Sequence, residues 1–409
     1  MSDTKRIVEL PYGKERLRVA IPEENLLAVV EPADVTPAAD PAAAVLRAVR
    51  EPVGTPPLRE MVKAGQKVLV IIDDNTRPTP QHEILPALLP EIEGAARDLQ
   101  IQILIATGTH RPMTAEEIRQ KVGAQVAARY SVINHKWQDE ENLVYLGTTP
   151  NGTPIKVNRL VMESDLVLAV GATVPHCLAG WGGGAKIVQP GVCGEETTSR
   201  THALNMISPI PHLGRLDNPM RQEIEEVVKV VPLRFIVNAV LDRHARIVHV
   251  VAGEPRLSHR RSGELARGVW EVPVPALGDI VLVSSHPADM DYWQGIKGAF
   301  AAELIVKRGG DIILATPCPE RIAGTPEHAA TMTALAGLPS KLMRLEAEKR
   351  GLTDLAGVNT AVVAQRINEL AWVSVYSDGL TDDDLRVLGH ERATSLAEGL
   401  KRAFARQGP

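Results

Sequence analysis

Three times in the first half of this chain, a short apolar run empties into a polar loop that carries an ionisable side chain. Residues 67–72 lead into Asp73-Asp74-Asn75-Thr76-Arg77-Pro78. Residues 101–106 lead into Thr107-Gly108-Thr109-His110-Arg111-Pro112, and residues 166–170 into Gly171-Ala172-Thr173-Val174-Pro175-His176. Runs that are apolar throughout, with no alternation, read as strands covered on both faces, and such strands belong to parallel sheets. Helical stretches lie between them, roughly 81–99 and 114–128, the second opening with the capping box Thr114-x-x-Glu117. In an open parallel sheet, ligands collect outside the carboxyl ends of the strands. Arg77, His110 and His176 each sit just past such an end, so three strands deliver an arginine and two histidines to one rim. A lone histidine is more often a satisfied core or surface group than a catalyst. Three polar residues in equivalent loops favour a site.

The third loop continues as the densest stretch of the chain, 175–202, PHCLAGWGGGAKIVQPGVCGEETTSRTH. Gly182, Gly183 and Gly184 allow close backbone approach and positive φ without steric cost. Lys186 follows, and His202 lies downstream. A phosphate-cradling G-x-x-x-x-G-K-[ST] loop fits at Gly180 and Lys186 but fails at Ala185 and Ile187, and without the hydroxyl there is no magnesium ligand. His176, Cys177, Cys193 and His202 do not have the spacing of a structural zinc site. A bound anion or a covalent attachment point at Lys186 remains, beside the plainer reading of a glycine turn with a satisfied lysine.

At 409 residues the chain is too long for one ordinary core, so two domains are expected. The net charge of −5 leaves no basic footprint for nucleic acid, and 3% aromatic residues leave little to stack on bases. Cys177, Cys193 and Cys318 are too few and too scattered for a disulfide framework. The start MSDTKRIVEL has no apolar core of a signal peptide, and no apolar run is long enough to span a bilayer. A cytoplasmic enzyme with no membrane or nucleic-acid partner is expected; its oligomeric state is left open.

Around this core, residues 6–10 and 16–21 read as a hairpin about Tyr12-Gly13, and 235–241 with 246–251 as another. Pro273-Val274-Pro275 marks a boundary. A second α/β unit follows, with strands near 279–284, 311–316 and 372–376. The loop after its first strand carries Trp293, Gln294 and Lys297. Gln294 and Lys297 share a helix face at i, i+3 and suit an oxygen-rich ligand. The expected architecture is α/β with two domains, each a mainly parallel sheet flanked by helices, and an active site in the interdomain cleft. The first domain spans 1–272, joined by a terminal helix at 389–409, and the second spans 276–388.

Together DDNTRPTP (73–80), TGTHRP (107–112), PHCLAGWGGGAK (175–186), His202 and the Gln294-x-x-Lys297 pair resemble the nickel-dependent lactate racemase family, in order and over nearly the whole chain. The resemblance implies a nickel pincer nucleotide, a pyridinium mononucleotide whose two sulfurs and one ring carbon hold nickel. It implies attachment as a thioamide at Lys186, nickel ligation by His202, and His110 with His176 as acid/base pair. It further implies that Arg77 anchors the substrate carboxylate with Gln294, Lys297 and Trp293 assisting, and that Asp74 and the three glycines lie against the cofactor. Cofactor-maturation enzymes are the implied partners, and the group is absent from protein made without them. The implied activity is racemisation of lactate or a similar short 2-hydroxycarboxylate. A 2-epimerase of longer hydroxyacids or sugar acids is the nearer alternative, and a phosphate-binding module without redox chemistry the remoter one. The chain departs from the family at Trp181-Gly182, where a Phe-Ser pair is usual.

Overall fold

The three apolar runs are neighbouring strands of one sheet. The computed structural model describes residues 4–206 and 211–408. Residues up to Glu31 and from Val272 onward form one unit; Pro32–Asn205 with His212–Glu271 form the other. Along the chain, β1 (Lys5–Tyr12) and β2 (Glu15–Pro22) make a hairpin, followed by β3 (Lys67–Asp73), β4 (Gln100–Ala106) and β5 (Ser131–Asn134). A small antiparallel pair comes next, β6 (Leu143–Thr148) and β7 (Pro154–Asn158), and then β8 (Leu166–Thr173). The two-residue strands β9 (Pro175–His176) and β10 (Gly180–Trp181) precede β11 (Leu233–Leu241) and β12 (Ile247–Gly253). The last four are β13 (Gly278–Ser284), β14 (Val306–Ala315), β15 (Trp372–Tyr376) and β16 (Glu391–Arg392).

In the middle unit the sheet order is β12-β11-β8-β3-β4-β5, parallel except for the edge strand β12. Side chains alternate across it. Val68, Val70, Ile72, Leu168 and Val170 enter one core with the helices Pro41–Arg50 and Gln81–Glu93. Leu69, Ile71, Val167 and Ala169 enter the other with Ile187, Val188 and Val227. Burial on both faces is why these runs carry no polar alternation. The chain builds outward from β3 to β4 and β5, then returns to the other side of β3 for β8 and β11. The order therefore reverses between β3 and β8. That reversal opens a crevice at the carboxyl ends of the strands, where doubly wound sheets bind ligands.

The other unit holds a four-stranded parallel sheet, β13-β14-β15-β16. Two expectations are corrected here. The N-terminal hairpin was expected in the first domain, but Leu10, Tyr12, Val19 and Ile21 share a core with Ile313 and Ala315 of β14. The terminal helix Leu396–Gln407 joins that same core through Leu396, Leu400 and Ala403, not the core of the middle unit. The apolar faces of hairpin and helix match the sheet that each must cover. The segment 389–407 is also not one helix. Gly389, at φ +69°, caps the preceding helix Asp382–Leu388 in the left-handed conformation, and β16 intervenes. Among the described residues no helix is long and apolar enough to cross a membrane.

Candidate active site

Two adjacent aspartates end β3, and they part company. Asp73 faces inward. It accepts hydrogen bonds from Thr79 Oγ1 and from Gln81 Nε2 at 3.0 Å, and it lies 3.2 Å from Lys121 Nζ. Lys121 also donates to the Arg77 carbonyl at 2.8 Å. Asp73 and Lys121 thus fasten both sides of the loop. Asp74, only 2% exposed, turns to the rim. Its Oδ1 accepts from Thr76 Oγ1 at 2.5 Å and Thr76 N at 3.1 Å, and its Oδ2 takes His110 Nδ1 at 2.7 Å. Arg77 Nη1 donates to Thr76 Oγ1 at 2.7 Å. One carboxylate therefore gathers His110 from β4 and, through Thr76, Arg77 from β3. Burial pushes the Asp74 carboxyl up. The charges and hydrogen bonds of His110, with Arg77 and Thr76, outweigh burial and hold it well below the usual carboxylate range.

This geometry sets the histidines differently. An ionised carboxylate only accepts, so Nδ1 of His110 carries a hydrogen, and in the neutral ring that leaves Nε2 as the unprotonated nitrogen. His176, on β9 past the end of β8, receives the backbone N–H groups of Leu178 and Ala179 on Nδ1, both at 3.2 Å. An N–H only donates, so in the neutral ring the His176 hydrogen sits on Nε2. In their neutral forms the two rings of the expected acid/base pair therefore carry their hydrogens on different nitrogens.

The glycine loop folds back on the sheet: Gly182 N donates to Val174 O at 2.8 Å, and Trp181 is buried against Val240, Ala266 and Val269. Gly183 and Gly184 have φ of +70° and +61°. A Cβ on Gly183 would stand 2.9 Å from Asn238 Oδ1, and one on Gly184 2.9 Å from the His259 ring. A Cβ on Gly182 would meet the Ala172 carbonyl at 3.0 Å. The chain's own packing thus accounts for the three glycines on that side of the loop. Lys186 is buried in the short turn Gly184–Ile187 that the glycines open. His202 lies on the helix Glu195–Met206, where its Nδ1 donates to Thr198 O at 2.8 Å. In the neutral ring the hydrogen is then on Nδ1 and not on Nε2, the tautomer metal-binding histidines use.

Gln294, Lys297 and Trp293 belong to the other unit, on the helix Tyr292–Glu303. Asp291 caps it by accepting Gln294 N at 2.8 Å, and Lys297 Nζ donates to Gln294 Oε1.

Several supporting residues were not singled out from sequence. Glu117, known only as a capping residue, also takes Arg111 bidentately at 2.8 and 3.0 Å and Asn75 Nδ2 at 2.9 Å, tying the loop after β4 to the loop after β3. The Arg111 hydrogen bonds pull its carboxyl down to about 2. Arg221, also buried, donates to the Trp181 carbonyl at 2.5 Å. Asn238 accepts Gly184 N at 3.0 Å from inside β11. A lone asparagine in the apolar run FIVNAVL was the visible signal. Asn238→Ala leaves the buried Gly184 N–H without that partner, which costs about 1–3 kcal/mol. A fall in Tm of about 3–10 °C is expected by calorimetry; an unchanged Tm would dismiss this clamp.

The profile described as the lactate racemase N-terminal domain matches residues 12–214. A lactate racemase of Thermoanaerobacterium thermosaccharolyticum is 32% identical over 324 residues, 78% of this chain and 76% of that protein. One from Lactiplantibacillus plantarum is 30% identical over 409 residues, 98% of this chain and 95% of that protein. The structure of the Thermoanaerobacterium thermosaccharolyticum lactate racemase apoprotein superposes with a TM-score of 0.88 at 29% identity, covering 98% of this chain and 96% of that one. With likeness of this extent in sequence and in fold, the chain belongs to the lactate racemase family.

Proposed function

We propose that this racemase interconverts D- and L-lactate, or a similarly short 2-hydroxycarboxylate, by reversible hydride removal from C2. The Asp74-centred network carries the reading. It holds His110 directly and Arg77 through the Thr76 hydroxyl on one carboxylate, beside the point where the sheet order reverses. The C2 proton of a 2-hydroxycarboxylate is too weakly acidic for direct abstraction at neutral pH, so hydride removal avoids a carbanion and passes through a planar ketoacid.

A donor set of one amine and one oriented imidazole fits a nickel pincer nucleotide tethered at Lys186 and ligated by His202, with Asp74, Gly182, Gly183 and Gly184 against it. Imidazole suits nickel. When bound, this cofactor supplies the electrophile that takes the hydride. Its making and attachment call for maturation enzymes as partners. The side chains do the rest. Arg77 pairs with the substrate carboxylate and fixes C2. His110 Nε2 takes the hydroxyl proton as the hydride leaves. His176 Nε2–H donates to the same oxygen. Gln294, Lys297 and Trp293 are read as substrate-binding on the family resemblance.

The test is Arg77→Ala in cofactor-loaded protein. Turnover of both lactate enantiomers should fall by at least about 10²-fold, since lost orientation costs rate steeply. Arg77→Lys should recover little, because an ammonium cannot pair with both oxygens in a fork. Chiral chromatography of the product reads both. Loaded wild-type protein that ignored lactate but epimerised a sugar acid would overturn the substrate and keep the hydride chemistry.

A further inference from the structure

The helix that carries Gln294 and Lys297 begins just past the carboxyl end of β13. The helix Pro326–Ala334 follows the carboxyl end of the adjacent parallel strand β14 and carries His328. These two segments meet ring to ring. The Trp293 indole and the His328 imidazole stack with centroids 4.0 Å apart and planes 7° from parallel. His328 is 3% exposed, and its Nδ1 lies 3.0 Å from Asp354 Oδ2. Asp354 is itself held from a third element. It caps the helix Leu355–Leu370, its Oδ1 accepting Gly357 N at 2.8 Å. Burial pushes the Asp354 carboxyl up, and the His328 hydrogen bond and charge with the Gly357 N–H outweigh it, keeping an acceptor facing the ring.

An indole on a helix's first turn has two χ angles to choose among. Here one face lies flat on an imidazole, and that imidazole cannot rotate without losing its carboxylate. Trp293 and Lys297 stand one turn apart, at i and i+4, on the same helix face. The ring's setting therefore decides how much room lies beside the Lys297 ammonium. We infer that His328, held by Asp354, is a positioning residue for substrate selection. It fixes the Trp293 indole as the wall that admits a methyl group at the substrate side chain and excludes longer or branched chains. The inference rests on the reading of Trp293, Gln294 and Lys297 as substrate-binding.

The test separates the stack from the selectivity. Protein labelled with 5-fluorotryptophan gives five resonances, from Trp137, Trp181, Trp270, Trp293 and Trp372. Loss of one in Trp293→Phe assigns it. His328→Asn keeps an N–H for Asp354 but removes the ring, and it should shift and broaden the Trp293 resonance while the other four stay in place. His328→Phe keeps a ring to stack on and should leave the Trp293 resonance narrow. In cofactor-loaded protein, His328→Asn should lower the preference in kcat/KM for lactate over 2-hydroxy-4-methylpentanoate about tenfold, within the range a methylene-scale pocket change commands. His328→Phe should restore most of that preference. An unmoved Trp293 resonance in His328→Asn would overturn the stack as a positioning device. Equal losses for both acids would overturn selection. If Trp293→Ala leaves the preference unchanged although the fluorine signal follows His328, the substrate reading of Trp293 is what fails, and the proposal falls with it.

Discussion

Lys186→Ala protein, co-expressed with the maturation enzymes, should emerge at its bare polypeptide mass and show no racemase activity. Wild-type protein from the same cells should carry an adduct on the peptide that contains Lys186. Three facts of position make this the largest effect expected. Lys186 lies in the turn that the glycines open, and it is buried there, where an uninvolved ammonium is rarely left. The Gly184–Ile187 turn packs through Ile187 into the core beneath β3 and β8, the strands that flank the crevice. The amine thus hangs from a turn with a rigid support. Alanine leaves that support intact, so loss of the adduct with an unchanged Tm is the expected pair of results. An adduct mapped to another lysine would refute the assignment.

The second large effect belongs to Asp74. Asp74→Asn keeps the size of the side chain and reverses the hydrogen-bond sense of one of its atoms. Thr76 donates to Oδ1 by its hydroxyl and its N–H, which keeps the amide oxygen on that side and turns the amide NH2 toward His110. The His110 Nδ1 must then accept, its hydrogen moves to Nε2, and the base is lost. A fall in kcat on the order of 10²–10⁴-fold is expected for both enantiomers, the range general-base catalysis commands. The stability effect has a defined pH window. The native Asp74 carboxyl lies below its unfolded value near 3.9, so its contribution is complete above that value and fades as pH falls below it. The stability difference between wild type and Asp74→Asn should be constant from pH 5 to 8 and shrink below about pH 4. A difference that already shrinks between pH 8 and 6 would show that the carboxylate is not the group responsible. An unchanged kcat would remove Asp74 from the base.

Strand identity was legible because burial on both faces leaves runs that are almost wholly apolar, with Gln102 the one polar residue inside them, and each run ends in a polar loop. The capping box at Thr114 was legible for the same local reason and is formed, both halves present. Strand order was not. Nothing in the runs themselves says that β8 pairs with β3 and not with β5, and that pairing is what creates the crevice. Nor could adjacent Asp73 and Asp74 be told apart. Identical side chains take opposite duties because one lies on the inner side of the strand end, within reach of Lys121, and the next does not. The His176 tautomer was hidden because backbone N–H groups set it, and these leave no mark on residue type. The hairpin and the last helix were assigned to the wrong core because an amphipathic face announces that it must be covered, not by what.

The shared core of the N-terminal hairpin and β14 bears on how the chain is born. Leu10, Tyr12, Val19 and Ile21 are translated well before the sheet they cover, which runs from Gly278 onward. About 250 residues separate the two, roughly 10–50 s of synthesis at common elongation rates. The middle unit completes its own sequence during that interval and can fold while the hairpin still waits. Isolated two-stranded hairpins are marginal in water, so this hairpin acquires a stable partner only after the later sheet is made.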